Sequence, residues 1–392
     1  MSNIKRLTEA DYEDIFTLSE FAFQYKLSAT ELEEKKVEAD RHIIWGWMDQ
    51  ENIAAKLHMI PLSIYINGKE FAMGGISSVA TWPEYRRQGM VKHLLHHALT
   101  YMKKHGQAVS LLHPFSFGFY RKYGWEHTFS EKKYTIPLTL LKKNWEADGY
   151  VRRVQNDLAS LQKIYKAFAK QYTGPLVRDE KWWRQRILNK PNNIVVSYSG
   201  SDEAEGYLLY EVKNRKMTVK ELAYRSLNGL KLLLQFIGHH DSMAEKVTLT
   251  VPANDQLALL LDEPTFDQEI IPYFMARIVD VYSFLQLFSF TQSLERPLYL
   301  HVEDNFLLCN SGIYQLTQNK GKTDVMFLGS NNKFKHQDNV VKLTIQSLTS
   351  IFLGYQRPRD LYTINHIQGS EVAVQQLEEL IPHQQPFFPD FF

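Results

Sequence analysis

The chain has 392 residues, 44% hydrophobic and 23% charged, with a net charge of +1. That length exceeds one ordinary core and predicts two or three domains. The near-neutral balance argues against a strongly basic nucleic-acid binder or a membrane-surface protein, and a lone cysteine, Cys309, excludes a disulfide framework and a multi-cysteine metal site.

The elements follow in chain order. "LTEADYEDIFTLSEFAFQY" predicts a first helix: Thr8 suits the N-cap, Glu9 and Asp11 suit the first turn, and Ile15, Leu18 and Ala22 recur at helical spacing. "SATELEEKKVEADRHI" predicts a second, acidic helix. Residues 52–82 alternate like strands, with Asn67, Gly68 and Lys69 as the hairpin turn. Residues 83–106 form a glycine-containing turn running into a helix that stops at Gly106. A buried strand over "AVSLLHPF", the segment "SFGFYRKYGWE" and a strand over "KYTIPL" complete this unit. Near residue 150 the order restarts. Helices are expected over "DLASLQKIYKAFAKQY" and "KWWRQRILN", and strands over "NIVVSYS" and "AEGYLLYEVKNRKMTVKELAY". A helix over "SLNGLKLLLQFIGHH" and a strand over "EKVTLTVP" follow. This repeats the first unit's order without its glycine turn, as a degenerate duplicate would. Alternating strands from "ERPLYLHVED" onward begin a third unit, closed by helices over "TIQSLTSIFLGYQ" and "SEVAVQQLEELIP". The start of the chain lacks the apolar region of a signal peptide. The apolar run at 282–290 is too short to span a bilayer. The expected location is cytoplasmic.

One stretch carries chemistry. In "VATWPEYRRQG", residues 79–89, a strand feeds a loop in which Arg86, Arg87 and Gly89 precede a helix. Unpaired N–H groups and the helix dipole favour an anion there. Gly89 lets backbone approach a ligand, and the arginines add charge where a diphosphate would sit. About thirty residues on comes "GFYRKYGWE", residues 118–126.

This pair resembles the GCN5-related N-acetyltransferase (GNAT) superfamily, whose pyrophosphate loop has the form Arg/Gln-x-x-Gly-x-Gly/Ala. Here it is Arg86, Arg87, Gln88, Gly89, Met90 and Val91, and Val91 replaces the small last residue. "FYRKYGW" matches the Phe-Tyr-x-x-x-Gly-Phe signature, with Trp125 last. The three-unit layout and a chain ending in phenylalanine resemble the enhanced-intracellular-survival (Eis) family. That resemblance implies an α/β (α+β) fold of two tandem GNAT-like units followed by a sterol-carrier-like α/β domain. The expected boundaries are 1–140, 141–290 and 291–392. It implies acetyl-CoA as cosubstrate, no metal, and a small-molecule amine acceptor of the aminoglycoside, polyamine or peptide class. It also implies a homohexamer, with neither nucleic acid nor membrane as partner. Acetyl-CoA would be held by Val79, Ala80 and Thr81, by the loop with Met90, Val91 and Lys92, and by Phe115 and Ser116. Tyr120 takes the place of the family's general acid, and the α-carboxylate of Phe392 that of its general base. Tyr123 is expected in the core.

Several features invite a blander reading. Phe387, Phe388, Phe391 and Phe392 would also suit a purely packing clasp, and Asp390 is a competing carboxylate. His93 and His97 stand at i and i+4 beside His96, but no zinc-protease glutamate accompanies them. Cys309 lies in an apolar strand pattern and is expected to be buried. The acids within 31–40 suit a solvated helix face better than a pocket for a cation. Trp45, Trp47 and Trp82 are expected to pack. The rival function is a non-catalytic carrier of an apolar ligand in the third unit.

Overall fold

The computed structural model describes residues 3–155, 157–189, 193–291, 294–319, 322–330 and 339–392. The first part runs β1 (Ile4–Leu7), α1 (Tyr12–Phe23), α2 (Ala29–Ala39), β2 (Ile43–Asp49), β3 (Asn52–Ile66), β4 (Lys69–Thr81), α3 (Met90–Lys104), β5 (Val109–Leu112), α4 (Phe117–Arg121) and β6 (Glu126–Pro137). The second runs β7 (Tyr150–Arg153), α5 (Leu158–Ala169), α6 (Glu180–Trp182), β8 (Asn193–Tyr198), β9 (Ala204–Lys213), β10 (Lys216–Tyr224), α7 (Leu227–Gly238), β11 (Lys246–Val251) and β12 (Asp267–Ile278). After α8 (Val281–Leu287), the third holds β13 (Leu298–Glu303), β14 (Gly312–Asn319), β15 (Lys322–Phe327), β16 (Val340–Thr344), α9 (Ile345–Phe352), α10 (Pro358–Thr363), β17 (Ile367–Gly369) and α11 (Glu371–Leu380).

Local chemistry accounts for most of these. Thr8 and Asp11 form a capping box before α1, and Ser28 and Glu31 form one at α2. Asn67 and Gly68 both take positive φ in the β3–β4 turn, as a two-residue hairpin loop requires. In α3, Met90, Leu94, Leu95, Ala98, Leu99 and Met102 form one buried stripe.

Among the described residues, twelve strands make one sheet in the order β1-β2-β3-β4-β5-β12-β6-β11-β10-β9-β8-β7. Read from either end, the order is equivalent. The parallel pair β4–β5 matches the parallel pair β10–β11. The last strand of each half has crossed over: β12 pairs with β5, β6 pairs with β11, and β6 and β12 pair with each other at the centre. The duplicate expected from element order is therefore fused to the first unit through exchanged strands. The second sheet, β15-β14-β13-β16-β17, belongs to the third unit. Its core merges with the first half: Ile60, Ile64, Phe71 and Met73 share one apolar cluster with Leu300, Leu348, Phe352, Phe388 and Phe392.

Some expectations need correction. "KWWRQRILN" is one turn of α6 followed by a π-helical turn over Trp183–Ile187. Cys309 is exposed, in a short 3-10 helix rather than a strand. The Asp304 carboxylate accepts the N–H groups of Phe306 and Leu307 (3.1 and 2.9 Å) and curls the chain, so that Asn310 is buried instead. Trp45 is buried, whereas Trp47 and Trp82 are only half-buried at the edges of their clusters. No helix among the described residues is long and apolar enough to cross a membrane.

Candidate active site

The strands β4 and β5 part company at the centre of the first half. Their parallel pairing covers only Met73 to Ile76 on β4, and the register ends at Ile76 opposite Leu112. Beyond that point β4 keeps only β3 as a neighbour, and it does so through a bulge. The β3–β4 register slips between Lys56 and His58, and Ser78 sits at φ 49°. Residues 77–81 thus offer strand backbone beside an opening, with Val79 to Thr81 among them. Ala80 turns its side chain into the α1–α2 cluster, so only its backbone is available here.

The loop after β4 winds through a 3-10 turn at Pro83–Tyr85 into α3. Arg87 (φ 65°) and Gly89 (φ 82°) both adopt left-handed conformations. Gly89 is the N-cap and supplies no side chain to the free N–H groups of the first turn. A methyl group on Gly89 would meet nothing within 4 Å, so the space beside this N-cap is open. Arg86, Arg87, Gln88 and Lys92 are exposed around it. Met90 is buried, and Val91 packs against the α3 core instead of facing the loop. The departure at Val91 therefore does not obstruct the helix N-terminus. An open helix start of this kind is suited in general to receiving an anion.

Across the opening, α4 starts with Ser116, whose hydroxyl accepts the Phe119 N–H. Phe115, exposed, lies edge-on to Tyr120 at 5.6 Å. Tyr120 is 3% exposed, and burial pushes its phenol well above the ordinary range. It stays protonated at any physiological pH. Tyr123 is half-buried against Phe119 and Phe306. The chain leaves α4 through Gly124 at φ 90°. There the Tyr123 carbonyl accepts a hydrogen bond from Arg277 of β12, which is fully buried and paired with Asp304 of the third unit. A Cβ on Gly124 would lie 1.6 Å from the Arg277 Nη1. Gly124→Ala is expected to cost on the order of 3–5 kcal/mol, because neither the positive φ nor the paired guanidinium can yield. Chemical denaturation against the parent measures it.

The C-terminal segment enters along the second half. Phe387 donates its N–H to the Thr173 carbonyl (2.9 Å), and Thr173 donates to the Gln385 carbonyl (3.0 Å). Phe387 joins Phe168 and Tyr172, while Phe388 and Phe392 both pack on Phe274 of β12. Asp390 is fully engaged: its Oδ1 accepts from Arg178 Nε and Trp182 Nε1, each at 2.9 Å, and its main-chain carbonyl accepts from Tyr273. Arg178 also makes a bidentate pair with Glu221 at 2.9 and 2.6 Å and stacks over Tyr165. Asp390 is thus an anchor, and the expectation of a rival base finds it occupied. The Phe392 ring covers Gly75, where a Cβ would come within 2.7 Å of it. Opposite α3, one face of the sheet carries Gly75, Ser77 and Ala80 on β4, and Ile60, His58 and Lys56 on β3. Phe392 therefore lies on the face bearing the bulge. On this side α1 and α2 also form a cleft of 680 Å³ lined by Glu9, Glu13, Glu20 and Asp40 together with Lys36 and the apolar Phe16, Leu32 and Val37.

A family model described as "Acetyltransferase (GNAT) domain" matches residues 3–128, a second of that description matches 174–278, and a sterol carrier protein domain matches 281–389. Among solved structures, a probable N-acyltransferase from Enterococcus faecalis is 27% identical, covers 99% of both chains and superposes with a TM-score of 0.91. Eis1 from Mycobacterium abscessus shares the fold at 20% identity, 99% and 100% coverage and a TM-score of 0.81. An uncharacterized N-acetyltransferase from Streptomyces griseus is 23% identical over 83% of each chain. The chain is an N-acetyltransferase of the GNAT superfamily, Eis-like in fold.

In this acetyltransferase Val79, Tyr85, Val91, Phe117 and Tyr120 belong to or pack against one apolar cluster, and the Phe392 ring lies over Gly75 on the other face of β4. His93, His96 and His97 instead lie against Trp47, Phe306 and Trp45. Of the α2 acids, Glu31 caps its own helix, Glu33 pairs with Lys36, and Glu38 pairs with Lys35 and Arg186. Sequence reading missed Lys56, Ser78, Arg178 and Arg277. Each is a polar residue whose role depends on a partner at least twenty positions away in the chain.

Proposed function

We propose that this acetyltransferase transfers the acetyl group of acetyl-CoA directly to a primary amine of an aminoglycoside-like, polyamine or peptide acceptor. The observation that carries the reading is the juxtaposition of an open, uncapped α3 N-terminus with the β4–β5 opening and the buried Tyr120 phenol. In this reading Arg86, Arg87, Gln88, Gly89 and the first N–H groups of α3, Met90 to Lys92, hold the pyrophosphate. The backbone of Val79, Ala80 and Thr81 lines the pantetheine arm, and Phe115 and Ser116 flank the thioester. The thioester supplies the acetyl carbonyl. The α-carboxylate of Phe392 takes the proton from the attacking amine, and Tyr120 gives its proton to the sulfur as the carbon–sulfur bond breaks. The acidic cleft of α1 and α2 supports a cationic acceptor. Units spanning 1–140, 141–290 and 291–392, assembled as a cytoplasmic homohexamer, belong to the same proposal.

Acetyl-CoA is expected to raise the melting temperature, since a ligand bound only by the native state stabilises it. An acceptor screen reading thiol release then identifies the amine. No shift at saturating acetyl-CoA would sink the reading in favour of an apolar-ligand carrier. Tyr120→Phe is expected to lower kcat about a hundred-fold with little change in KM. Equal kcat in that variant removes the phenol as proton donor.

A further inference from the structure

Beneath the β4 bulge lies a lysine that the mechanism above does not use. Lys56 has no exposure, in a stretch of β3 where Ala54, Ala55, Leu57, Met59 and Ile60 are core. Its ammonium has three hydrogens and meets three acceptors: Ser78 Oγ at 2.7 Å, the Ser78 carbonyl at 3.1 Å and His58 Nε2 at 3.2 Å. With His58 Nε2 accepting, its Nδ1–H donates to His42 Nδ1 at 3.2 Å. His42 Nε2 is then a buried donor with no hydrogen-bond partner in the structure. Two of Lys56's three bonds go to one residue, and that residue is Ser78, held at φ 49° two positions beyond the last β4–β5 pair. Serine seldom takes this conformation without compensation.

We propose that Lys56 is a positioning residue for acetyl transfer: its ammonium pins the Ser78 bulge that shapes the β4 side of the opening, and the opening is competent while Lys56 is protonated. The inference rests on acetyl-CoA occupying that opening.

The groups around Lys56 leave the charge on it. From its own strand comes His58, from the turn before β2 His42, and from β4 Ser78. From α1 come Ser19, whose hydroxyl lies 3.4 Å from that of Ser78, and Tyr25, which bonds Ser19. The strand β2 opposes this row with Ile44 and Gly46. Burial drives His58 well below its ordinary range and His42 down to about 4, so neither histidine carries the proton. The carboxylate of Glu38 on α2 already has Arg186 and Lys35. Without a carboxylate partner, burial lowers Lys56 to about 7. Its charged form is therefore lost as pH rises through neutrality, far below the ordinary lysine range. When Lys56 gives up its proton, its amine keeps two N–H groups for Ser78 but loses the charge that strengthens both bonds.

The test uses the full-length protein with lysines labelled with 13C at Cε. One resonance, missing in Lys56→Met, is expected to titrate near pH 7, and saturating acetyl-CoA is expected to raise its midpoint by at least half a pH unit. Wild-type kcat/KM for acetyl-CoA is expected to fall above that midpoint. Lys56→Met is expected to lose this limb and at least ten-fold in kcat/KM. An unmoved midpoint, or a Lys56→Met enzyme with the parent's rate and pH profile, overturns the proposal. The midpoint measurement needs only the wild-type fold, so it decides even where the variant is unstable. A wild-type protein that shows acetyl-CoA thermal stabilisation but an unmoved midpoint defeats the inference alone. Absence of that stabilisation defeats the acetyl-CoA reading with it.

Discussion

Appending two residues after Phe392 is expected to lower kcat by on the order of 10²–10⁴, while acetyl-CoA binding stays within a few-fold of the parent. The physical case rests on where that residue sits. Its ring is 6% exposed, packs on Phe274 at 5.2 Å between centroids, and fills the space that Gly75 leaves by having no side chain. An appended residue turns the carboxylate into an amide, which cannot accept the amine's proton. The Arg86–Gly89 loop lies on the far side of the opening and is untouched. Phe392→Ala separates base from clasp. It retains a terminal carboxylate and removes the ring, so it is expected to be slower than the parent but faster than the extended chain. Single-turnover kinetics of the three proteins, with acetyl-CoA affinity measured alongside, make the comparison. An extended chain with the parent's kcat assigns the proton to another group and leaves the tail as packing only.

Arg178→Met is expected to destabilise the fold by about 3–5 kcal/mol, the usual cost of leaving buried charge without its partner. Arg178 is fully buried between Asp390 and Glu221. Burial works against its charge, but the two carboxylates outweigh it and hold the guanidinium well above its ordinary range. Without it, Glu221 keeps Tyr207 and Asp390 keeps Trp182 and Tyr165, but neither keeps a cation. Asp390 lies two residues before Phe392, so losing this anchor also loosens the Phe392 backbone. Activity is therefore expected to fall further than the folded fraction does. Urea denaturation gives the stability, and kcat per folded molecule gives the rest. A variant as stable as the parent would show that the network contributes little. A variant that keeps full kcat per folded molecule would show that the anchor does not position the tail.

Much of the fold was legible because it is local. Capping pairs at Thr8 and Ser28, the Asn67–Gly68 turn and the apolar stripe of α3 are decided within a few residues. The turn at Arg86–Gly89 is of the same kind, since a left-handed Gly89 before an uncapped helix needs no distant partner. Six strands escaped: β1, β2, β7, β12, β16 and β17. β1, β7 and β17 have only three or four residues, β2 slips its register against β3, and β12 carries a polar first half with Pro272 inside it. Its second half, Phe274 to Ile278, is buried because β5 and β6 flank it on either side.

Lys56 shows the limit most clearly. A lysine between Ala55 and Leu57 reads as a solvent-facing position of an alternating strand, yet α1 and α2 close over it. Asp390 reads as a free carboxylate near the chain's end, yet Arg178, 212 positions earlier, claims it. The sequence by itself determined most of the helices, the hairpin, the glycine turn before α3 and the aromatic tail, because each depends on backbone preference or side-chain spacing over a few neighbours. Only the tertiary structure decided which strands exchange between the halves, which charges are buried and paired, and that Phe392 comes to rest over Gly75. Those outcomes depend on contacts between residues tens to hundreds of positions apart, which no local pattern encodes.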